Sequence, residues 1–182
     1  MVFNTMTTRI TRNSGNTEWL TPPEIIEAAR AVMMGIELDP ASSDAAQKIV
    51  KAERYYTAEQ DGLIQPWEGR VWLNPPYRQP LIQKFTQVLC EAYDSGKVNQ
   101  AIVLTNNSSE TKWFQAIAHR SAAICFPKTR IKFFSPDLVK GRQPLQGQTI
   151  FYLTWQTWRA TQFDYHFSQF GQVIVKKQRG ML

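Results

Sequence analysis

Apolar and polar positions recur along this chain with two periods, and each change of period predicts an element. In "TPPEIIEAARAVMM", Ile25, Ala28, Ala29 and Val32 repeat at helical spacing. Two prolines open that stretch and Glu24 follows Thr21 by three residues, the pattern of a capping box. "GIELD" is a short apolar strand that runs into Asp39-Pro40 and a string of small residues. The region Ala45 to Glu59 fits a helix and then a strand around Arg54 to Tyr56, and Asp61-Gly62-Leu63 makes a turn. Arg70 to Leu73 is a strand. A helix begins near Pro80, with Ile82, Phe85, Val88, Leu89 and Ala92 on one face and Gly96 as its stop. "QAIVLT" has the continuous apolar character of a strand covered on both faces, and "SSETKWFQAIAH" reads as a capped helix. "AAICF", "TRIKFF" and "TIFYLTW" read as strands, Trp158 to Phe170 as an amphipathic stretch, and "GQVIVKKQRG" closes the chain.

Strands alternate with helices over the first two thirds, after which the pattern turns β-rich. The fold class this predicts is a single-domain, three-layer α/β sandwich, mostly parallel with an antiparallel edge. A flexible arm over residues 1–17 and a basic tail over 177–182 flank a domain over 18–176. In such sheets ligands bind beyond the carboxyl ends of the strands. Two strands end in unusual chemistry, "IELDPASS" and "VWLNPPY". If both are central and parallel, Asp39 and Asn74 stand side by side on one rim.

Composition sharpens this only a little. The 182 residues, 43% of them hydrophobic, suffice for one domain with a real core. A formal charge of +6 leans toward a polyanionic partner. Cys90 and Cys125, without CxxC spacing, predict buried thiols of a reducing compartment. With two histidines, no metal site is expected. The segment Met1 to Thr17 is polar and no run reaches bilayer length, so the expectation is a cytoplasmic protein with no membrane contact. Trp113, Trp155 and Trp158 are expected in the core.

The candidate chemistry lies at the strand ends. Asp39, followed by Pro40, Ala41 and Ser42, either caps the next helix or meets a ligand that approaches the backbone closely. Asp61 before Gly62 is a turn former or a second polar contact. Asn74-Pro75-Pro76-Tyr77 is harder to read as a mere stiff loop. Its two prolines remove two backbone donors. The Asn74 side-chain oxygen and the Pro75 carbonyl are two acceptors suited to an exocyclic NH2, and the Tyr77 ring offers a stacking face to a flat heterocycle.

At this point the sequence resembles a known family. "NPPY" after an apolar strand is similar to the catalytic motif of S-adenosylmethionine-dependent amino-methyltransferases. The order "WLTPPEI", "LDPAS", "YYTAEQDGL", "PWEGRVWLNPPY", "IVLTNNSSETKWF" and "FPKTRIKFF" resembles the phage-type DNA N6-adenine methyltransferase (Dam) family, from about Trp19 to Tyr152. The resemblance implies a Rossmann-like methyltransferase fold that uses S-adenosylmethionine. Asp39, Pro40 and Ala41 would contact the methionine and ribose part of that cofactor, Asp61 its adenine amino group, and Thr21-Pro22 the segment closing over it. Asn74, Pro75, Pro76 and Tyr77 would be catalytic, with Tyr77 and either Phe133 or Phe134 against a flipped adenine. Two departures stand out: no glycine-rich loop follows the first strand, and the acid for the ribose hydroxyls is unplaced, with Glu53 as its candidate.

Hydrogen bonds from adenine N6 to Asn74 and Pro75 would localise the amine's lone pair for in-line attack on a sulfonium methyl. Contacts to double-stranded DNA are expected from Lys128, Arg130, Lys132, Lys140, Arg142, Lys176, Lys177 and Arg179, among interleaved aromatics. The expected protein is a DNA adenine-N6 methyltransferase of phage or prophage origin in a bacterial cytoplasm, without a restriction partner. A monomer is favoured, and so small a chain should read a short site or read it loosely. The alternatives are an RNA or protein-glutamine methyltransferase, or a nucleic-acid-binding protein that has lost catalysis.

Overall fold

The structure is a computed structural model that describes residues 19–135 and 146–176. The expected arm and tail, and Lys140, Arg142, Lys177 and Arg179, lie outside the described residues. Among the described residues there are five α-helices: α1 (Pro23–Met33), α2 (Asp44–Val50), α3 (Leu81–Asp94), α4 (Lys112–Arg120) and α5 (Ala160–Phe167). Seven strands accompany them: β1 (Leu38–Asp39), β2 (Arg54–Tyr55), β3 (Gly69–Leu73), β4 (Val98–Asn106), β5 (Ser121–Pro127), β6 (Gln148–Thr154) and β7 (Gly171–Val175).

The strands form one mixed sheet in the order β2-β1-β3-β4-β6-β5-β7, consistent with a Rossmann-like α/β fold. The first four are parallel. β6 then runs antiparallel to β4, β5 to β6, and β7 to β5. The carboxyl ends of β1 to β5 and the amino ends of β6 and β7 therefore share one rim. β1 and β3 are parallel neighbours, with Leu38 opposite Val71, so the condition for Asp39 and Asn74 to stand side by side is met.

Apolar residues sort by the two-residue period of the strands. Val71, Leu73, Ala101 and Val103 join a cluster with α3 and α4. Trp72, Ile102 and Leu104 join another with α1, α2 and α5. Val71, Leu73 and Val103 are fully buried, each worth about 1.5–3 kcal/mol. A slip of one residue would turn this set to the wrong face, so the register is strongly held. At the amino end of β3, the Glu37 carboxylate accepts from the Arg70 backbone N–H at 2.7 Å and pairs with its guanidinium at 3.1 Å.

Four expectations change. "TRIKFF" is not a strand, because its only pairing is the isolated bridge between Phe134 and Leu20. "GQVIV" instead forms β7, so three strands rather than a pair make the antiparallel side. The capping box does not form: Pro22 holds the N-cap position with no side-chain hydrogen bond. Trp113 is buried, but Trp155 and Trp158 are exposed. They follow the carboxyl end of β6 on the opposite rim, where Trp155 stacks on Tyr93 at 4.6 Å.

Candidate active site

Asn74 leaves the sheet at the carboxyl end of β3, between β1 and β4. Both faces of β3 are packed, so its carboxamide emerges at a fixed height. The Asn74 amide nitrogen donates to the Thr21 hydroxyl at 3.2 Å, and its oxygen accepts from the Tyr77 phenol at 2.8 Å. The phenol also reaches the Leu104 carbonyl on β4 at 3.4 Å. Pro75 is buried, Pro76 exposed and Tyr77 half-buried. Burial pushes the Tyr77 phenol well above its ordinary range, so it stays a neutral donor. The four motif residues thus form a tip folded over the β3–β4 junction.

Asp39, the last residue of β1, is only 2% exposed. Its carboxylate accepts from the Gln47 amide at 3.0 Å and the Ala41 N–H at 3.4 Å. Gln47 also donates to the Ser42 hydroxyl at 2.7 Å and accepts from the Ala52 N–H at 2.9 Å. Burial raises the Asp39 pKa from 3.8 to about 7, against the hydrogen bonds that lower it. The helix cap is Ser43, which accepts from the Ala46 N–H, and so capping does not explain Asp39.

The Asp61 loop lies directly against this segment. Asp61 adopts the left-handed conformation (φ 49°), and its carboxylate accepts from the Leu63 N–H at 3.1 Å. Beside it, a Cβ on Gly62 would sit 1.9 Å from the Pro40 carbonyl oxygen. The Gly62 carbonyl in turn accepts from the Trp67 indole at 2.8 Å. In a chain with no glycine-rich loop after β1, a single glycine from elsewhere supplies the close backbone approach. The "DPAS" and "DGL" segments therefore meet at one place on the rim.

Beyond β1 and β2 a cavity of about 230 Å³ opens, lined among others by Ser42, Ser43, Thr57 and Glu59. Hydrogen bonding by the Thr57 side chain holds the Glu59 carboxyl below its ordinary range. Glu53 is elsewhere: it precedes β2 and lies 3.8 Å from Arg70 on the opposite rim. Glu59 follows β2, a strand only two residues long that shows no period. Its one signal is a position just past that strand's carboxyl end.

A second cavity, about 280 Å³, lies between the start of α1 and the segment after β5, lined by Pro22, Glu24, Arg130, Lys132 and Phe134 among others. Lys128, Arg130 and Lys132 are exposed on the rim that carries Asn74. Phe133 is 5% exposed and packs in the core with α1 and α5, whereas Phe134 lines the cavity. Lys176 is placed otherwise, since it follows β7 on the far rim and its ammonium donates to the Ala118 and His119 carbonyls at the end of α4. Cys90 and Cys125 are buried thiols, and burial pushes Cys125 up to about 12. Among the described residues no cluster of His, Cys, Asp or Glu could hold a metal ion, and no helix is long and apolar enough to cross a membrane.

A parallel strand pair ends in a buried acid and an Asn-Pro-Pro-Tyr tip, with a basic rim beside it, the arrangement expected from the resemblance to amino-methyltransferases. The comparisons agree: residues 8–178 match the family described as DNA N-6-adenine-methyltransferase (Dam). The chain belongs to this family and is on that footing a DNA adenine-N6 methyltransferase. It is 31% identical over 136 residues to the DNA N-6-adenine-methyltransferase of Haemophilus phage HP1 (strain HP1c1), an overlap covering 72% of this chain and 75% of that protein. To the protein of the same description from Escherichia phage T1 it is 32% identical over 108 residues, 58% of this chain and 42% of the other.

Two outcomes are expected from this geometry. An acid whose folded-state pKa lies above its unfolded value favours folding fully below about pH 4 and loses that contribution as pH rises through about 7. In thermal melts, Asp39→Asn should therefore gain stability relative to the parent between about pH 5 and 7, and the difference should level off above that; a difference independent of pH would contradict a buried, titrating Asp39. Gly62→Ala forces the backbone apart and should cost about 1–3 kcal/mol in urea unfolding, whereas an unchanged midpoint would contradict the close approach to Pro40.

Proposed function

We propose that this chain moves the methyl group of S-adenosylmethionine to N6 of an adenine turned out of double-stranded DNA. The observation that carries the proposal is the Asn74 carboxamide, emerging between β1 and β4 with its nitrogen already engaged and its oxygen directed to the Tyr77 side. The fold inferred around it is a three-layer methyltransferase sandwich, supported by apolar clusters that place α1, α2 and α5 apart from α3 and α4.

The donor set suits the cofactor. Glu59, Ser42 and Ser43 offer a carboxylate and hydroxyls for the ribose. Asp39, with Pro40 and Ala41, offers a buried acid that a bound ammonium would draw back to its charged form. Asp61 offers an acceptor for the adenine amine, whereas Pro22 lines the other cavity, beside Phe134. When bound, S-adenosylmethionine supplies an electrophilic sulfonium methyl.

The rest is the work of the chain. Asn74 Oδ1 and the Pro75 carbonyl accept the two N6 hydrogens, localising the nitrogen lone pair and aiming it. The carboxamide has a second lone pair on Oδ1, so it can accept N6 while keeping the phenol. Pro75 and Pro76 hold the tip stiff, which preserves alignment at no cost in order when the base arrives. Tyr77 presents its ring to the flipped base, and Phe134, the cavity-lining member of the phenylalanine pair, borders its path. Lys128, Arg130 and Lys132 meet the phosphates. Neither cysteine takes part, since burial keeps both as thiols. The phage relatives support an enzyme that works in the cytoplasm of a bacterial host.

Asn74→Ala should lower methyl transfer to plasmid DNA from a methylation-free host by roughly 100-fold or more, with S-adenosylhomocysteine binding within a few-fold of the parent. Turnover close to the parent's would refute the role given to Asn74. Tyr77→Ala should raise the KM for DNA far more than the cofactor Kd. Glu59→Gln should do the opposite, weakening S-adenosylhomocysteine by about 10-fold in calorimetric titration while the saturated rate holds.

A further inference from the structure

Thr21 has the sequence pattern of a cap, with prolines after it and Glu24 three residues on, but α1 starts at Pro23 with Pro22 at its N-cap, so Thr21 lies one residue before the cap. Its hydroxyl accepts from the Asn74 amide instead, across 53 residues of sequence.

Thr21 is also unable to move away. Leu20 is bound to Phe134 by two backbone hydrogen bonds, Leu20 N–H to Phe134 O at 2.8 Å and Phe134 N–H to Leu20 O at 2.9 Å. On its other side Pro22 and Pro23 fix the chain. Thr21 is itself 5% exposed, and its β-branch limits χ1. The oxygen is therefore held by the main chain on both sides and by packing.

We propose that Thr21 is a positioning residue for methyl transfer: it holds the Asn74 amide nitrogen, so that the Asn74 oxygen faces the target amine. This rests on the role given to Asn74 above. A carboxamide rotates easily about its terminal torsion, and turned over it would offer N6 a donor where an acceptor is needed. Asn74 receives one partner from β4's side, through Tyr77, and one from α1's side, through Thr21. The Tyr77 ring has to meet a base, so Thr21 is the fixed member of the pair. The Leu20–Phe134 bridge further ties this oxygen to the basic segment bearing Lys132, so the segment facing DNA and the catalytic amide share one anchor.

Thr21→Val keeps the shape and removes the acceptor, while Thr21→Ser keeps the acceptor. Thr21→Val should lower the saturated rate on DNA by roughly 10- to 100-fold, the usual consequence of leaving a buried polar group without its partner. Its melting temperature and its Kd for S-adenosylhomocysteine should stay near the parent's, and Thr21→Ser should recover the rate to within a few-fold. A raised Kd with an unchanged saturated rate would make Thr21 a cofactor contact and overturn the proposal. So would a lowered melting temperature that Thr21→Ser fails to restore, or a parental rate in Thr21→Val when Asn74→Ala is inactive. If Asn74→Ala itself turns over normally, the reading of Asn74 falls first and that of Thr21 with it.

Discussion

The site depends on β3 being unable to slide. It lies between β1 and β4, and its side chains interlock alternately with the layers on either face. At its start Glu37 grips both the N–H and the guanidinium of Arg70. A strand so fixed delivers the residue after Leu73 to one position and no other. Pro75 and Pro76 then end the pairing and leave a stiff tip where a longer loop would wander. Methyl transfer between two aligned centres needs little acid–base assistance, but it tolerates little misplacement. Under the role proposed for Asn74, the packing of β3 is the source of that alignment.

The rim gathers parts that are far apart in sequence. Thr21 comes from before α1, Asp39 from β1, Glu59 and Asp61 from beyond β2, Asn74 from β3, and Lys128 to Phe134 from beyond β5. The directions of the strands bring them together: five carboxyl ends point one way. The same directions take Lys176, Trp155 and Trp158 to the far side.

Much of this was legible in the sequence, for definite reasons. Helical spacing in α1 and α3, the apolar run of β4 and the Asn-Pro-Pro-Tyr motif each carry a strong local signal. In the sequence, that β1 and β3 are neighbours is only a condition, and the pairing of Leu38 with Val71 supplies it. What escaped was set by partners distant along the chain. "TRIKFF" has the composition of a strand, but Leu20 alone pairs with it, and then through a single residue. Thr21 has a capping pattern, but Pro22 takes the N-cap of α1 and Thr21 meets Asn74 instead. Glu59 follows a strand too short to show a period. Trp155 is large and apolar, yet it lies past the end of β6, where one ring of Tyr93 is its cover.

Gly62 shows how differently neighbouring positions constrain descent. Around it, an acid can be exchanged for another polar group and a lineage can recover by small compensating changes, because long side chains bend. At Gly62 the obstacle is the carbonyl of Pro40, part of the main chain of the opposing segment. No rotamer relieves it and no neighbouring substitution removes it. Any descendant that keeps these two segments in contact must keep a hydrogen atom there.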